Sequence, residues 1–548
     1  VLATRREALG LLGGGLVASL AGCCGLRGFS QGTIGEAGRA GVEVPFLRPG
    51  GIDGISKRAA ERVFCVDAHA HFFNASDVTV KGFLEGPVAH TAGGVLEGLL
   101  KLLAPLAEAL AEMAPTAAKE YDELSRLSSM LQSRPPSEWR GVLDAEIAAH
   151  RLLQSERFFD LLQTPRGRPF AVEYQRLQAQ RLREGRRPAT GELDRLALVR
   201  AMALGATPRG VLERRVELPG EGGIYEAGVL AFVGYMLAPR WANVRSYAMA
   251  FSEHEESLGV DRVLGSLVDF DRWLDCPPRS SHEDQLRLHA RMSRLSGGYM
   301  LPLVGYNPWT DIVEDGRSLK LVIDAVKHHG YVGVKIYPAN GFRPWGNTGA
   351  QDGFGLPSHR DINGRLEVFW KTCFDLDVPV LAHANRTMGA DNAHDVLGGP
   401  EGWEALLTAY EKVGAAPRVN LGHFGGDTQM DAGDWTERMA GVMARPNGTR
   451  VFGDLGYWSE LDCVLVGPAR CRAAVERLKR LLGRPVGGVE SVGDRVMFGT
   501  DWLMLSREPH WADYAAEVFK AIAVHAPEHA ARIFGANALR CFSKLSRA

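Results

Sequence analysis

At 548 residues, the chain has room for two or three domains, or for one large barrel carrying an insertion. Hydrophobic residues make up 45% and charged residues 23%, as expected of a soluble globular protein. A formal net charge of −2 leaves no electrostatic case for a nucleic-acid partner. Eight cysteines with no CxxC pair argue against both a disulfide scaffold and a cysteine-based zinc module.

The N-terminus reads as a targeting segment, residues 1–24. Arg5 and Arg6 form a twin-arginine pair ahead of a mildly apolar stretch, Ala8 to Ala21, that is too short to span a bilayer. Leu20-Ala21-Gly22-Cys23 follows. The whole resembles a twin-arginine lipoprotein signal, with Cys23 the lipidated residue. That resemblance implies export and a lipid anchor on the outer side of the cytoplasmic membrane or in the periplasm. Residues 25–60 are Gly-rich with scattered charge and read as a linker.

The first strand-like run, Val63 to Val66, leads into Asp67-Ala68-His69-Ala70-His71. Side chains two apart in a strand share a face, so Asp67, His69 and His71 are expected to point inward together. From residue 76 to 261 the pattern is mostly helical, as in EYDELSRLSSMLQ and GELDRLALVRAMAL, with apolar residues at three-and-four spacing. YEAGVLAFVGYML is apolar nearly all round, but is short enough to be a buried helix.

From residue 262 strand-like runs alternate with helical ones. VLGSLVDF, YMLPLVGYNP, GVKIYP, VPVLAHA, RVNLGHFG, TRVFGDL and RVMFGTDW follow at spacings that hold one loop, one helix and one loop. Eight strands with helices between them predict an α/β fold, a (β/α)8 TIM barrel built from residues 61–75 and 262–548. The helical block 76–261 falls in the first strand-to-helix loop. Such loops lie at the C-terminal face, where barrel active sites form, so the block is expected to make a lid or wall.

Metal-binding side chains recur at these strand ends: His69 and His71, Lys335, His383, His423 and Asp501. A lone HxH is weak evidence, since about half of one such pair arises by chance in this composition. Further ligand-type residues at four later strand ends change that weighting. Secondary candidates sit on the following loops, where substrate contacts are made: Tyr337, Arg343 and Trp345 after strand four, Asn385 and Arg386 after strand five, and Trp502 beside Asp501. An arginine there would suit a carboxylate or phosphate. Asp454 ends strand seven, where structural hydrogen bonding is one role open to it.

HxH on strand one, His on strands five and six and Asp on strand eight together resemble the amidohydrolase superfamily. GVKIYP, VLAHA, LGHFG, FGTDW and IFGANALRCF look like its amidohydrolase-related metal-dependent hydrolase branch. The resemblance covers residues about 63–75 and 262–545, not the helical block. It implies one or two divalent metals, zinc foremost, that activate water. The metal ligands would be His69, His71, His383 and Asp501, with His423 binding a second metal or positioning water, and Asp501 and His423 the catalytic pair. Lys335 in KIYPAN is very similar to the carboxylated lysine of dihydroorotases, and carboxylated it would bridge two metals. Dihydroorotases also carry an Arg two residues after the second His. Here that position is Phe73, so no dihydroorotase activity is assigned. The expected substrate is a small molecule carrying an amide, cyclic amide, lactone or ester. The alternatives are a metal-dependent non-oxidative decarboxylase on the same barrel, and a lipid-anchored binding protein without catalysis. Contact with a membrane is expected only through the lipid anchor. Oligomeric state is not readable.

Overall fold

The computed structural model describes residues 45–49, 64–85, 101–183, 202, 224–253, 259–274, 277–349, 357–389, 391–426, 435–508 and 511–546. Cys23, the rest of the export segment and most of the expected linker lie outside them, as does most of GELDRLALVRAMAL.

Eight short strands form one parallel sheet in strict chain order: β1 (Val66–His71), β2 (Arg262–Ser266), β3 (Met300–Gly305), β4 (Gly333–Ile336), β5 (Val380–His383), β6 (Val419–Gly422), β7 (Val451–Asp454) and β8 (Val496–Met497). β8 keeps only two residues in the ladder, but the chain beyond it closes the ring. The Ala68 amide donates to the Phe498 carbonyl at 2.9 Å, the Asp501 amide to His69 at 2.7 Å and the His71 amide to Trp502 at 2.6 Å. The molecule is thus the expected TIM barrel.

Helices follow β2 to β8 at His282–Leu295, Arg317–His328, His359–Asp375, Pro400–Ala409, Trp435–Met443, Pro468–Leu482 and Tyr514–His525. Their sequences explain them. In Arg317–His328 the buried residues Leu319, Val322, Ala325 and Val326 form one stripe, which packs on the sheet. His359–Asp375 begins where the Ser358 side chain accepts from the Asp361 amide, satisfying one of the free donors of the first turn. Val66, Ala68, Leu264, Leu303, Leu381, Phe452 and Met497 fill the barrel floor, which Cys541, Phe542 and Leu545 of the C-terminal segment close. Each large apolar side chain buried there contributes about 1.5–3 kcal/mol.

Strand β1 departs from simple alternation. Asp67 pairs with Val263 but Ala70 with Gly265, so three residues of β1 advance against two of β2, as in a β-bulge. Before the slip Val66 and Ala68 face the barrel floor and Asp67 faces outward. After it, His69 and His71 face inward. The expectation that Asp67 shares the interior with the histidines is therefore corrected: an irregularity in register reverses the parity between them.

Of the described helices of the first loop, Ala117–Gln132 packs on the helix after β2 and Ile224–Leu237 on the segment beyond Asp501, while Pro136–Gln163 packs on other helices of the block. Arg291 of the helix after β2 donates to the Tyr121 carbonyl at 2.7 Å and lies over the Tyr121 ring. The last helix, Arg240–Ala248, covers the outer face of β1, where the Tyr247 hydroxyl donates to Asp67 at 2.5 Å. It takes the place of the barrel's own first helix. Among the described residues no helix is long and apolar enough to cross a membrane.

A buried charge cluster joins these helices to the barrel. The Arg240 guanidinium, fully buried, donates to Asp77 and Glu120, to Ser76 at 2.9 Å and to Ser280 at 3.1 Å. Removing one partner of such a cluster strands buried charge. Replacing Arg240 with Met is expected to lower stability by about 3–5 kcal/mol, read as the change in unfolding free energy in urea titrations.

Candidate metal centre

The imidazoles of β1, of β5 and of the turn after β6 converge with Lys335 of β4 and Asp501 beyond β8 at the C-terminal end of the barrel. All six residues are buried, none of them more than 6% exposed. His69 Nε2 lies 3.7 Å and His71 Nε2 3.3 Å from Asp501 Oδ1. His423 Nε2 lies 3.1 Å from His383 Nδ1, and Lys335 Nζ lies 3.0 Å from His69 Nε2. Ligand atoms of His69, His423 and Asp501 all fall within 4.8 Å of one another. Donors at about 2.0–2.2 Å from one tetrahedral ion stand roughly 3.3–3.6 Å apart, so the spacing fits a shared cation.

Which nitrogen of each ring faces inward is fixed from outside. His69 Nδ1 lies 3.1 Å from Asp454 Oδ1, His71 Nδ1 3.1 Å from the Ser266 carbonyl, and His423 Nδ1 2.8 Å from the Gly456 carbonyl. Each partner is an acceptor, so each Nδ1 carries the proton and each Nε2 presents a lone pair to the centre. His383 is turned the other way. Its Nε2 donates to the Thr387 carbonyl at 2.9 Å, leaving the Nδ1 lone pair inward. Burial lowers the pKa of His69, His71 and His383, and for His69 the neighbouring Lys335 charge adds to this. Neutral rings are what metal ligation requires.

Asp501 completes the set. Burial alone would raise its pKa, but positive charge among the rings, whether on His71, His69 and His423 or on a cation bound between neutral rings, outweighs burial and lowers it. Its Oδ1 is buried with no hydrogen-bond partner among the described residues. A carboxylate oxygen facing imidazole lone pairs is electrostatically unfavourable unless a cation lies among them. This donor set fits a divalent metal. His423 and Asp501 also hold left-handed backbone, at φ +63° and +52°. Such conformations in non-glycine residues cost about 1–3 kcal/mol and gather at functional sites. Around His69 the walls are glycine. A Cβ on Gly456 would meet His69 Nδ1 at 2.8 Å, and one on Gly499 would meet its Cβ at 2.9 Å.

Lys335 is buried, and burial lowers its pKa to about 8. Its Nζ lies 4.6 Å from the centre of the Tyr337 ring. Tyr337 itself forms a wall: its hydroxyl is 3.3 Å from His71 Nε2, and its ring stacks on His383 at 5.2 Å. Phe270 packs behind it at 4.7 Å and Phe83 behind Phe270 at 5.9 Å, so the segment after β1 supports this wall.

The other expected substrate contacts have partners other than the six clustered residues. Arg343 pairs with Glu401 at 3.6 Å, and Trp345 packs near Tyr410 at 6.4 Å. Asn385 Oδ1 accepts from the Arg386 amide at 2.7 Å, and the Arg386 guanidinium lies 5.3 Å from the Trp435 ring. Trp502 is fully buried among Phe72, Tyr235, Tyr247 and Trp511. It joins the helical block to the barrel, because the residue after Asp501 turns to the outer side of the sheet. Sequence reasoning left open the anchoring role of Asp454 and did not reach the carbonyls of Ser266, Gly456 and Thr387; only Asp454 carries a side-chain signal.

Substituting His71 or Asp501 with Ala is expected to drop bound metal, measured by plasma mass spectrometry of purified protein, from stoichiometric to substoichiometric. Arg343→Ala is expected to leave it unchanged.

Among solved structures, the chain is similar to an uncharacterized TIM-barrel protein from Bordetella bronchiseptica (14% identity, TM-score 0.36, 56% of this chain and 85% of that one). It is also similar to an amidohydrolase from Burkholderia multivorans (11%, 0.30, 52% and 84%). A third is 5-carboxyvanillate decarboxylase from Novosphingobium aromaticivorans (14%, 0.29, 68% and 93%). No curated protein matches the chain. Residues 304–544, which carry β4 to β8 and the candidate ligands Lys335, His383, His423 and Asp501, match the amidohydrolase family model.

Proposed function

We propose that the chain is a metal-dependent hydrolase that adds water to the carbonyl of an amide, cyclic amide, lactone or ester. The observation that carries this reading is the ionised, buried Asp501 carboxylate with Oδ1 unpartnered and facing the inward lone pairs of His69 and His71. The match of residues 304–544 to the amidohydrolase family supports it.

His69, His71, His383 and Asp501 would hold one metal. His423 would hold a second, with a carboxylated Lys335 between the two, or would position water if there is one. The metal, zinc by the chemistry of the donors, lowers the pKa of a water toward about 7 when bound. Asp501 takes the proton as the water oxygen attacks the carbonyl carbon. It returns that proton to the departing nitrogen or oxygen as the bond to carbon breaks. The Tyr337 hydroxyl, 3.3 Å from His71 Nε2, would hydrogen-bond the oxygen on which charge develops. Lys335, with its pKa lowered to about 8 by burial, is a neutral amine in an appreciable fraction of molecules near neutral pH, and the neutral form is the one that adds carbon dioxide.

The protein is further proposed to act outside the cytoplasm, tethered through Cys23. The Cys463–Cys471 disulfide supports a non-reducing compartment. In cell fractionation, Cys23→Ala is expected to move the protein from the membrane to the soluble fraction; an unchanged distribution would contradict the tether.

A screen over lactones, amides and esters is expected to find hydrolysis that chelation abolishes. On the substrate found, Asp501→Asn is expected to lower kcat by about 10²–10⁴-fold with KM little changed. Carbon dioxide release from aromatic acids with no hydrolysis would move the assignment to the lyase. Full activity in the Asn variant would sink the proposed role of Asp501.

A further inference from the structure

Asp454 lies behind the candidate centre, where four donors converge on its carboxylate. It ends β7 and is fully buried. Its Oδ1 accepts from His69 Nδ1 at 3.1 Å, from the His423 amide at 2.9 Å and from the Gly456 amide at 2.9 Å. Its Oδ2 accepts from Asn420 Nδ2 at 2.7 Å. One oxygen thus ties β1 to the turns after β6 and β7. The turn after β7 supplies the Gly456 carbonyl that accepts from His423 Nδ1.

We infer that Asp454 is the positioning residue of the centre: it fixes His69 as the Nδ1-protonated tautomer and sets the distance between His69 and His423. The inference rests on the reading of these histidines as metal ligands. Its physical basis is the donor count. A buried carboxylate with four donors around it leaves no acceptor role to the His69 Nδ1, so the proton stays there and the lone pair stays at Nε2. Without Asp454 the imidazole, enclosed by Gly456 and Gly499, would be free to take the other tautomer, with a proton where the metal belongs. The His423 amide, on a residue at φ +63°, would also lose its only side-chain acceptor among the described residues, and with it the restraint that holds the strained turn.

The neighbouring Asn420 gives a clean test. In Asp454→Asn the introduced amide nitrogen must face either Asn420 Nδ2 or the His69, His423 and Gly456 donors, a clash of donors in both orientations. Pairing it with Asn420→Asp exchanges acid and amide. The carboxylate then standing at position 420 accepts from the amide standing at position 454, whose oxygen still accepts from His69.

The full chain would be stripped of metal and titrated with zinc against a chromophoric chelator, and with cobalt(II) while its visible absorption is recorded. Thermal unfolding of the metal-free protein would be followed in parallel. Asp454→Ala and Asp454→Asn are expected to weaken zinc binding by about 10–100-fold and to alter the cobalt spectrum. The Asn420→Asp/Asp454→Asn exchange is expected to restore both to near the wild-type values. Wild-type affinity and spectrum in the single variants would overturn the inference while leaving the metal-site reading standing. So would variants that lose thermal stability but, once folded, bind as tightly as wild type. If neither single variant folds, the exchange variant decides, and weak binding by it in folded form overturns the inference. A wild-type chain that binds neither metal would overturn the metal-site reading and this inference together.

Discussion

The candidate centre depends on acceptors that lie behind its imidazoles. Asp454, the Ser266 and Gly456 carbonyls and the Thr387 carbonyl each take the outward proton of an imidazole. An imidazole has two nitrogens of nearly equal basicity, and which is protonated follows from what the other can reach. Four rings with their lone pairs turned inward, His69 and His71 beside the Asp501 carboxylate and His383 beside His423, make an arrangement rich in acceptors. Lys335 Nζ and the Tyr337 hydroxyl meet two of these lone pairs, and the remaining acceptors suit a divalent cation held by rigid strand ends.

The rest of the architecture serves that rigidity. Short strands closed into a ring leave no free edge to bend. The floor of Leu, Val and Phe side chains lies directly beneath the polar layer, so His69 and His71 have little room to tilt. Glycines at 456 and 499 let the chain pass within contact distance of His69, and a larger residue there would displace the ring. On the outer side, Asp67, Tyr247 and Thr500 lock the bulged strand: Thr500 Oγ1 donates to Asp67 Oδ2 at 2.6 Å and the His69 amide to Asp67 Oδ1 at 3.0 Å. The helical block thus reaches the chemistry indirectly, through Tyr247 behind β1 and through Phe83 and Phe270 behind Tyr337.

Much of this was legible in the sequence. Each ligand follows a run of Val, Ile, Leu or Phe, and the spacing of those runs carries the barrel. Six ligand-type residues at strand ends come together as a cluster because parallel strands bring their C-terminal ends to one face. What escaped has physical reasons. The bulge between Asp67 and Ala70 leaves no mark in composition, so strict alternation placed Asp67 inside. Trp502 follows a ligand, but Asp501 sits in left-handed backbone and turns the next side chain into the aromatic core. Main-chain carbonyls that fix tautomers have no residue signature at all. Tyr337 lies against the ligands, whereas Arg343 and Trp345 on the same loop face Glu401 and Tyr410, a distinction that only tertiary packing makes.

The most direct test of the central claim is X-ray absorption at the metal edge of the zinc- or cobalt-loaded protein. The account predicts a first shell of nitrogen and oxygen at about 2.0–2.2 Å, with the outer-shell scattering of at least three imidazoles. A sulfur shell at about 2.3 Å, or an oxygen shell without imidazole scattering, would contradict it.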